Sequence, residues 1–422
     1  PDGTRFITYR ADRRTTKKLP LIASYSDGLH DLRPELYEYP CPFVTDSDEE
    51  IPHYSLYIGS LADKTLVKAD APDFLYPVFT SPEKSTVKWM EDSRHFYFTW
   101  IARGYQEACL YLGDAQNGSY HVVIRETTEQ FFNLGAFGLL DGYGSYLFSN
   151  FITSDRAYAF WQSERNGFAH LYRYRLTENE SICEGDLFDA SEKELIIQKL
   201  IRVDEQDKQI YFMANNLPEY SDPYYHGLCR VNFDGTDFCL LTPEDGEHSV
   251  RIFPDCLADT WSRVDQPPVT VLRNRKGDLL CEVIRADISA LLEAGYVLPE
   301  RFHVIATDGE TPLYGILIRP ADMEEGKTYP FIDYIYGGMQ IANVPKAFTW
   351  KTANGREIFG GLQEYAQLGI AGIILDGLGT PCRGRKIHDV SYENIHGCAG
   401  LADHVGTLEQ IKALFPFLDL NR

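Results

Sequence analysis

The chain has 422 residues, 44% apolar and 24% charged, the composition of a globular protein of about two or three domains. Its formal net charge of −22 argues against a nucleic-acid backbone or an anionic membrane surface as partner. No run of about 18 apolar residues occurs, so no segment reads as a transmembrane helix, and nine scattered cysteines without a C-x-x-C signal reduced thiols rather than a disulfide framework.

From residue 1 to 286 the pattern is one of short alternating aromatic and aliphatic runs closed by turn pairs: Asp2-Gly3, Asn117-Gly118, Asn166-Gly167, Asp234-Gly235. The theme recurs in "VKWMEDSRHFYFTWIARGYQEACLYLGDAQNG", "AYAFWQSERNGFAHLYRYRLTENE", "QIYFMANNLPEYSDPYYHGLCRVNFDGTDFCLLTPEDG" and "SVRIFPDCLADTWSRVDQPPVTVLRNRKGD". A repeat of roughly 45 to 60 residues fits four-stranded propeller blades better than a sandwich. The reading is an incomplete β-propeller of about five blades over 1–286. Within it, the acidic run "TDSDEE" (45–50) could hold a cation through Glu49 and Glu50, but such runs are usually solvated loops.

The texture changes at 287. "DISALLEAGYVLPE" reads as a short helix and linker, and "RFHVIATDG" with "TPLYGILIRP" as a hairpin turning at Asp308-Gly309. "YPFIDYIYGG" and "IAGIILDG" are apolar enough for strands buried on both faces. Between them "REIFGGLQEYAQLG" stripes Ile358, Phe359, Leu362 and Tyr365, and afterwards "GLADHVGTLEQIKALFP" stripes Leu401, Val405, Leu408 and Ile411. Strand, helix, strand, helix predicts a parallel α/β sheet over 287–422.

Three motifs invite a chemical reading. Tyr336-Gly337-Gly338 ends an apolar strand, where an α/β-hydrolase places a loop that contributes an oxyanion donor. Gly377-x-Gly379 resembles the start of a dinucleotide loop, but Cys382 stands where the third glycine belongs and no helix opens there, so it reads as a strand-end loop. Cys382, His388, His396, Cys398 and His404 cluster without a zinc spacing, and no metal site is expected.

Taken in order, these stretches resemble the dipeptidyl peptidase IV branch of the prolyl oligopeptidase family of serine peptidases. The likeness rests on "PERFHVIATDGETPLYGILIRP", "YPFIDYIYGG", "VPKAF", "ILDGLGT", "RGRKIHDVSY" and "GLADHVGTLEQIKALFP", and upstream on "PDGTRFITYRAD", "WQSERNGFAHLY", "YYHGLCRVNFDGT", "LLTPEDG" and "SRVDQPPVTVL". It implies a propeller joined to an α/β-hydrolase domain, with a peptide substrate meeting a Ser-Asp-His triad between them and no cofactor. Tyr336 falls on the Tyr of the branch's Y-x-G-P motif, whose hydroxyl serves the oxyanion hole. Met339 stands in place of that Pro, and Leu378 where the family often has Arg.

The family's nucleophile lies in a G-x-S-x-G elbow, and no such pattern occurs in these 422 residues. The resemblance places the elbow just after "LDLNR" and the Glu pair that holds a substrate amino terminus before Pro1. The chain is therefore expected to be a piece: a partial propeller (1–286) and the N-terminal half of an α/β-hydrolase (287–422), inactive alone. The whole protein is expected to release N-terminal dipeptides, often Xaa-Pro, and the family often dimerises. Competing readings are a catalytically dead relative with a binding propeller, and an oligopeptidase or acylaminoacyl peptidase. Cytoplasmic and periplasmic or secreted locations both fit a chain opening at Pro1.

Overall fold

The computed structural model describes residues 2–23, 35–40, 47–74, 87–132, 150–178, 180–188, 194–339, 341–348, 361–394, 397 and 400–421. The chain divides into two compact units, residues 1–127 and 128–422.

In the first unit, β1 (Arg5–Asp12) is followed by a separate two-stranded hairpin, β2 (Lys18–Ala23) and β3 (Glu35–Pro40). β4 (His53–Ser60) and β5 (Thr65–Lys68) then pair with β1 in the order β1-β4-β5. β6 (Val87–Trp89), β7 (His95–Ile101), β8 (Glu107–Asp114) and β9 (Tyr120–Thr127) form a four-stranded antiparallel meander. The core of this unit is aromatic: Phe98 stacks on Tyr111 with ring centroids 5.0 Å apart, and both pack near Leu56 and Phe96. Gly113 makes room for this, since a Cβ there would lie 2.4 Å from the Phe96 ring. Glu49 and Glu50 sit in a short 3-10 turn capped by the Ser47 side chain, with Glu50 reaching Lys17 at 3.5 Å, as a solvated loop should.

The second unit opens with three more four-stranded antiparallel meanders. They are β10 (Phe151–Ile152), β11 (Tyr158–Ser163), β12 (His170–Leu176) and β13 (Ser181–Asp186); β14 (Ile196–Asp204), β15 (Gln209–Asn215), β16 (Gly227–Asn232) and β17 (Cys239–Leu240); and β18 (Glu247–Ile252), β19 (Leu257–Arg263), β20 (Gln266–Arg273) and β21 (Leu279–Arg285). Each has its strands in sequence order, so every connection is local and every pairing antiparallel. The turn glycines do the work their motif implies: Gly3, Gly118, Gly167 and Gly235 all have φ between +74° and +100°, the left-handed region that side chains resist.

After the short helix α1 (Ser289–Glu293), β22 (Glu300–Ile305) and β23 (Pro312–Ile318) form the hairpin expected at Asp308-Gly309. β24 (Phe331–Asp333), α2 (Leu362–Gln367) and β25 (Ala371–Leu375) follow, then α3 (Arg385–His388), α4 (Leu401–Gly406) and α5 (Leu408–Leu414). The sheet order is β22-β23-β25-β24, with β24 and β25 parallel and the other pairs antiparallel. It is therefore mixed, not wholly parallel as the strand–helix alternation predicted, because the leading hairpin is part of the same sheet. Alternate residues of β23 and β25 face two cores. Leu317, Ile373 and Leu375 pack with Ile411 and Phe415 of the α5 segment, and Ile316, Ile318 and Ile374 pack with Leu362 and Ala366 of α2.

Two burial expectations are corrected. Residues 371–375 are buried throughout, but β24 lies at the sheet edge and is only half-buried. The supposed core stripe of α4 is reversed: Leu401 and Val405 are 57% and 62% exposed, while Asp403, His404 and Thr407 are buried. Leu362 is buried as predicted and Tyr365 is exposed; Ile358 and Phe359 lie outside the described residues.

Candidate functional site

Three loops meet beside the parallel strand pair, two leaving the α/β sheet and one coming from a meander. The first follows β24, whose parallel pairing runs one residue further through the Tyr334 N–H donated to the Ile373 carbonyl (2.8 Å). The chain then turns outward: Ile335 and Tyr336 are each 39% exposed, and Gly338 has φ +110°. This is the carboxyl end of a parallel strand pair, where α/β sheets place their ligands. Met339, half-buried, follows directly.

The same loop then dives inward, and residues 341–346 are all buried. Asp376, the first residue past β25, holds it there. Its two carboxylate oxygens accept the N–H groups of Asn343 (2.7 Å) and Val344 (3.1 Å). Burial pushes the Asp376 carboxyl up to about 6, against the pull of Lys346 and of these two backbone donors.

Residues 377–384 form the second loop. The Leu378 N–H donates to Asp403 Oδ2 (2.8 Å), while Asp403 Oδ1 accepts from the Thr307 N–H (3.0 Å) and hydroxyl (2.7 Å). One buried carboxylate thus joins α4, the loop before β23 and the loop after β25, which explains why the polar side of α4 turns inward. Gly377 and Gly400 allow the approach, since a Cβ on Gly377 would lie 3.0 Å from the Gly400 Cα. The Leu378 side chain packs against the core of the α5 side. No helix opens at Gly377-x-Gly379; α3 begins at Arg385.

The third loop belongs to a meander. Residues 216–226, between β15 and β16, bring Asp222 and Tyr224 against the first two loops. Lys346 Nζ donates to Asp222 Oδ2 at 2.9 Å, with the two side chains 2% and 9% exposed. The Tyr224 ring lies 4.3 Å from Lys346 Nζ and 5.5 Å from the Arg383 guanidinium, and its hydroxyl is 3.3 Å from Thr380 Oγ1. Asn215 donates its side-chain amide to the Cys382 carbonyl (2.7 Å). Sequence reasoning missed these residues. Lys346, a lone cation in "IANVPKAF", was the one signal pointing at them.

The Cys and His candidates are dispersed. Cys382 is buried beside Tyr224 and Ala342, where desolvation pushes its thiol far up and keeps it a neutral thiol. His388 is buried between Glu164 (3.5 Å) and Asp389 (3.2 Å). His404 pairs with Asp333 at 2.7 Å. His396 and Cys398 lie outside the described residues. Among the described residues, Glu244, His248 and Asp259 are close enough to share a cation, but Arg273 already supplies the charge: its Nε donates to Asp259 Oδ2 (3.0 Å) and its Nη2 to Glu244.

Antiparallel meanders thus precede an α/β sheet, and the 216–226 loop of one meander packs on the loops at its strand ends. The family described as dipeptidyl peptidase IV (DPP IV) N-terminal region matches residues 1–268, and the chain belongs to that family. It is 29% identical over 232 residues to human dipeptidyl peptidase 8, a match spanning 53% of this chain and 24% of that protein. The mouse dipeptidyl peptidase 8 match is 34% identical and spans 25% of that protein. A putative dipeptidyl aminopeptidase IV from Bacteroides ovatus superposes with a TM-score of 0.73 at 20% identity, over 99% of this chain and 56% of its own. Porphyromonas gingivalis dipeptidyl peptidase 4 does so with 0.70 at 17%, over 99% and 54%. The chain thus spans about a quarter of the curated relatives it matches and just over half of the solved ones.

Proposed function

We propose that the chain is part of a serine peptidase that releases N-terminal dipeptides, and that Tyr336 donates its hydroxyl to the oxyanion hole. The four antiparallel meanders and the three-stranded β1-β4-β5 sheet are then propeller blades (1–286), and residues 287–422 begin an α/β-hydrolase sheet. The observation carrying this reading is the placement of Tyr336. It stands exposed at the carboxyl end of a parallel strand, in a Tyr-Gly-Gly turn, and further along the same segment Asn343 and Val344 are held by Asp376. In such an enzyme a serine attacks the peptide carbonyl with His as base and Asp orienting the His. The oxyanion accepts from a backbone N–H and the Tyr336 hydroxyl, and water then cleaves the acyl-enzyme. The serine, Asp and His of this scheme are supplied by sequence outside the 422 residues, so these residues alone are inactive.

The test is Tyr336→Phe in the full-length gene product, assayed with a Xaa-Pro chromogenic substrate. Loss of one oxyanion donor should lower kcat by about 10²- to 10³-fold with little change in KM. An unchanged kcat overturns the assignment of Tyr336. A wild-type full-length product without dipeptide release overturns the peptidase reading and favours a binding propeller.

A further inference from the structure

The contact between the 216–226 loop and the strand-end loops is of an unusual kind. Lys346 and Asp222 are both withdrawn from water. Desolvating two such ions costs several kcal/mol each, and an apolar pair of the same volume would stabilise as well or better. What the ion pair adds is direction: one donor, one acceptor and one distance. Tyr224 adds a second constraint. Its ring carries a cation from each loop, Lys346 from the β24 loop and Arg383 from the β25 loop. Burial pushes its phenol far up, so the ring stays neutral and available to both.

The mechanical path from this grip to the exposed turn is short. Lys346 lies three residues beyond Asn343, whose N–H is fixed by Asp376, and Asn343 lies seven residues beyond Tyr336. Asp376 fixes the loop to its own sheet; Lys346 fixes it to a meander.

We infer that Asp222 and Tyr224, acting through Lys346 and Arg383, are positioning residues that set the Tyr336 turn relative to the propeller-type sheets. The inference rests on the reading of Tyr336 as an oxyanion donor, and it makes the propeller loop a determinant of turnover rather than of substrate affinity.

The test uses Asp222→Asn, which keeps shape and removes charge, and the double variant Asp222→Leu/Lys346→Met, which removes both ions and so leaves neither buried without its partner. In the full-length product, hydrogen exchange should rise at least about tenfold at the Asn343 and Val344 amides, while amides of β14 to β16 stay within about twofold. In the full-length product, kcat for dipeptide release should fall about tenfold in both variants with KM within about twofold, even where the double variant unfolds at the wild-type midpoint. Unchanged exchange at residues 343–344, or an equal rise in all sheets, overturns the positioning role. Raised exchange with unchanged kcat also overturns it. A full-length wild type without activity defeats the peptidase reading instead, and the exchange result then decides whether the anchoring exists.

Discussion

Arg273 offers a sharp energetic test of how the last meander is held. Its guanidinium is 2% exposed and donates to Asp259 Oδ2 (3.0 Å), to Glu244 and to the Gly277 carbonyl (3.2 Å). Asp259 is fully buried and otherwise meets only the His248 ring at 2.8 Å among its described partners. Arg273→Met keeps most of the stem and removes the charge. Breaking a buried pair from one side costs about 3–5 kcal/mol, because the remaining carboxylate is left desolvated. Glu244 is more than a quarter exposed and can rehydrate, so the lower half of that range is expected, about 3–4 kcal/mol. Urea unfolding followed by tryptophan emission reads this well, since Trp261 stacks on His248 at 6.2 Å inside the same cluster. The double variant Arg273→Met/Asp259→Leu should recover most of the loss. A single variant within about 1 kcal/mol of wild type, or a double variant no better than the single, would falsify the claim that charge compensation holds this cluster.

Further outcomes follow from other sites. Gly384 has φ +83°, and a Cβ there would meet the Gly167 carbonyl oxygen at 2.8 Å, whereas Gly309 at φ +79° faces open space. Gly384→Ala should therefore cost more than Gly309→Ala in a thermal melt, with only the latter near the roughly 1 kcal/mol of backbone strain alone; equal costs would refute the contact. Asp376 has its folded-state value raised from 3.8 to about 6, so its contribution to stability is complete below pH 4 and lost as pH rises to 6. Comparing Asp376→Asn with wild type across that window should show a relative gain for the variant of up to about 3 kcal/mol at pH 7, and a flat difference would contradict it. Because β24 is an edge strand and Ile335, Leu368, Leu401 and Val405 are exposed, the isolated 422 residues should associate in sedimentation experiments; a single monomeric boundary would count against this.

Local chemistry made much of the fold legible. Alternating runs and Asx-Gly pairs mark strands and turns because both depend on neighbouring residues alone, and the Asp308-Gly309 hairpin forms where it was read. Helix faces were harder. The α4 stripe was reversed because Asp403 collects donors from Thr307 and Leu378, and these partners are remote in sequence. The site was half-legible. The Tyr336 turn announces itself by its glycines, but Asp222, Tyr224 and Lys346 are brought together only by tertiary structure. The Cys and His cluster shows the converse, since proximity in sequence did not bring Cys382, His388 and His404 together.

The Asp222–Lys346 pair also has a history in time. Its partners are 124 residues apart in sequence. At synthesis rates of about 5–20 residues per second, Asp222 leaves the ribosome on the order of 6 to 25 seconds before Lys346. Meanders closed by local connections can be complete within that interval. The 216–226 loop is then a finished surface on which the emerging strand-end loop settles, and its acidic side chain waits in water until the lysine arrives. A ribosome paused between the two would carry a propeller loop with an unpaired Asp222, open to solvent and to chaperones.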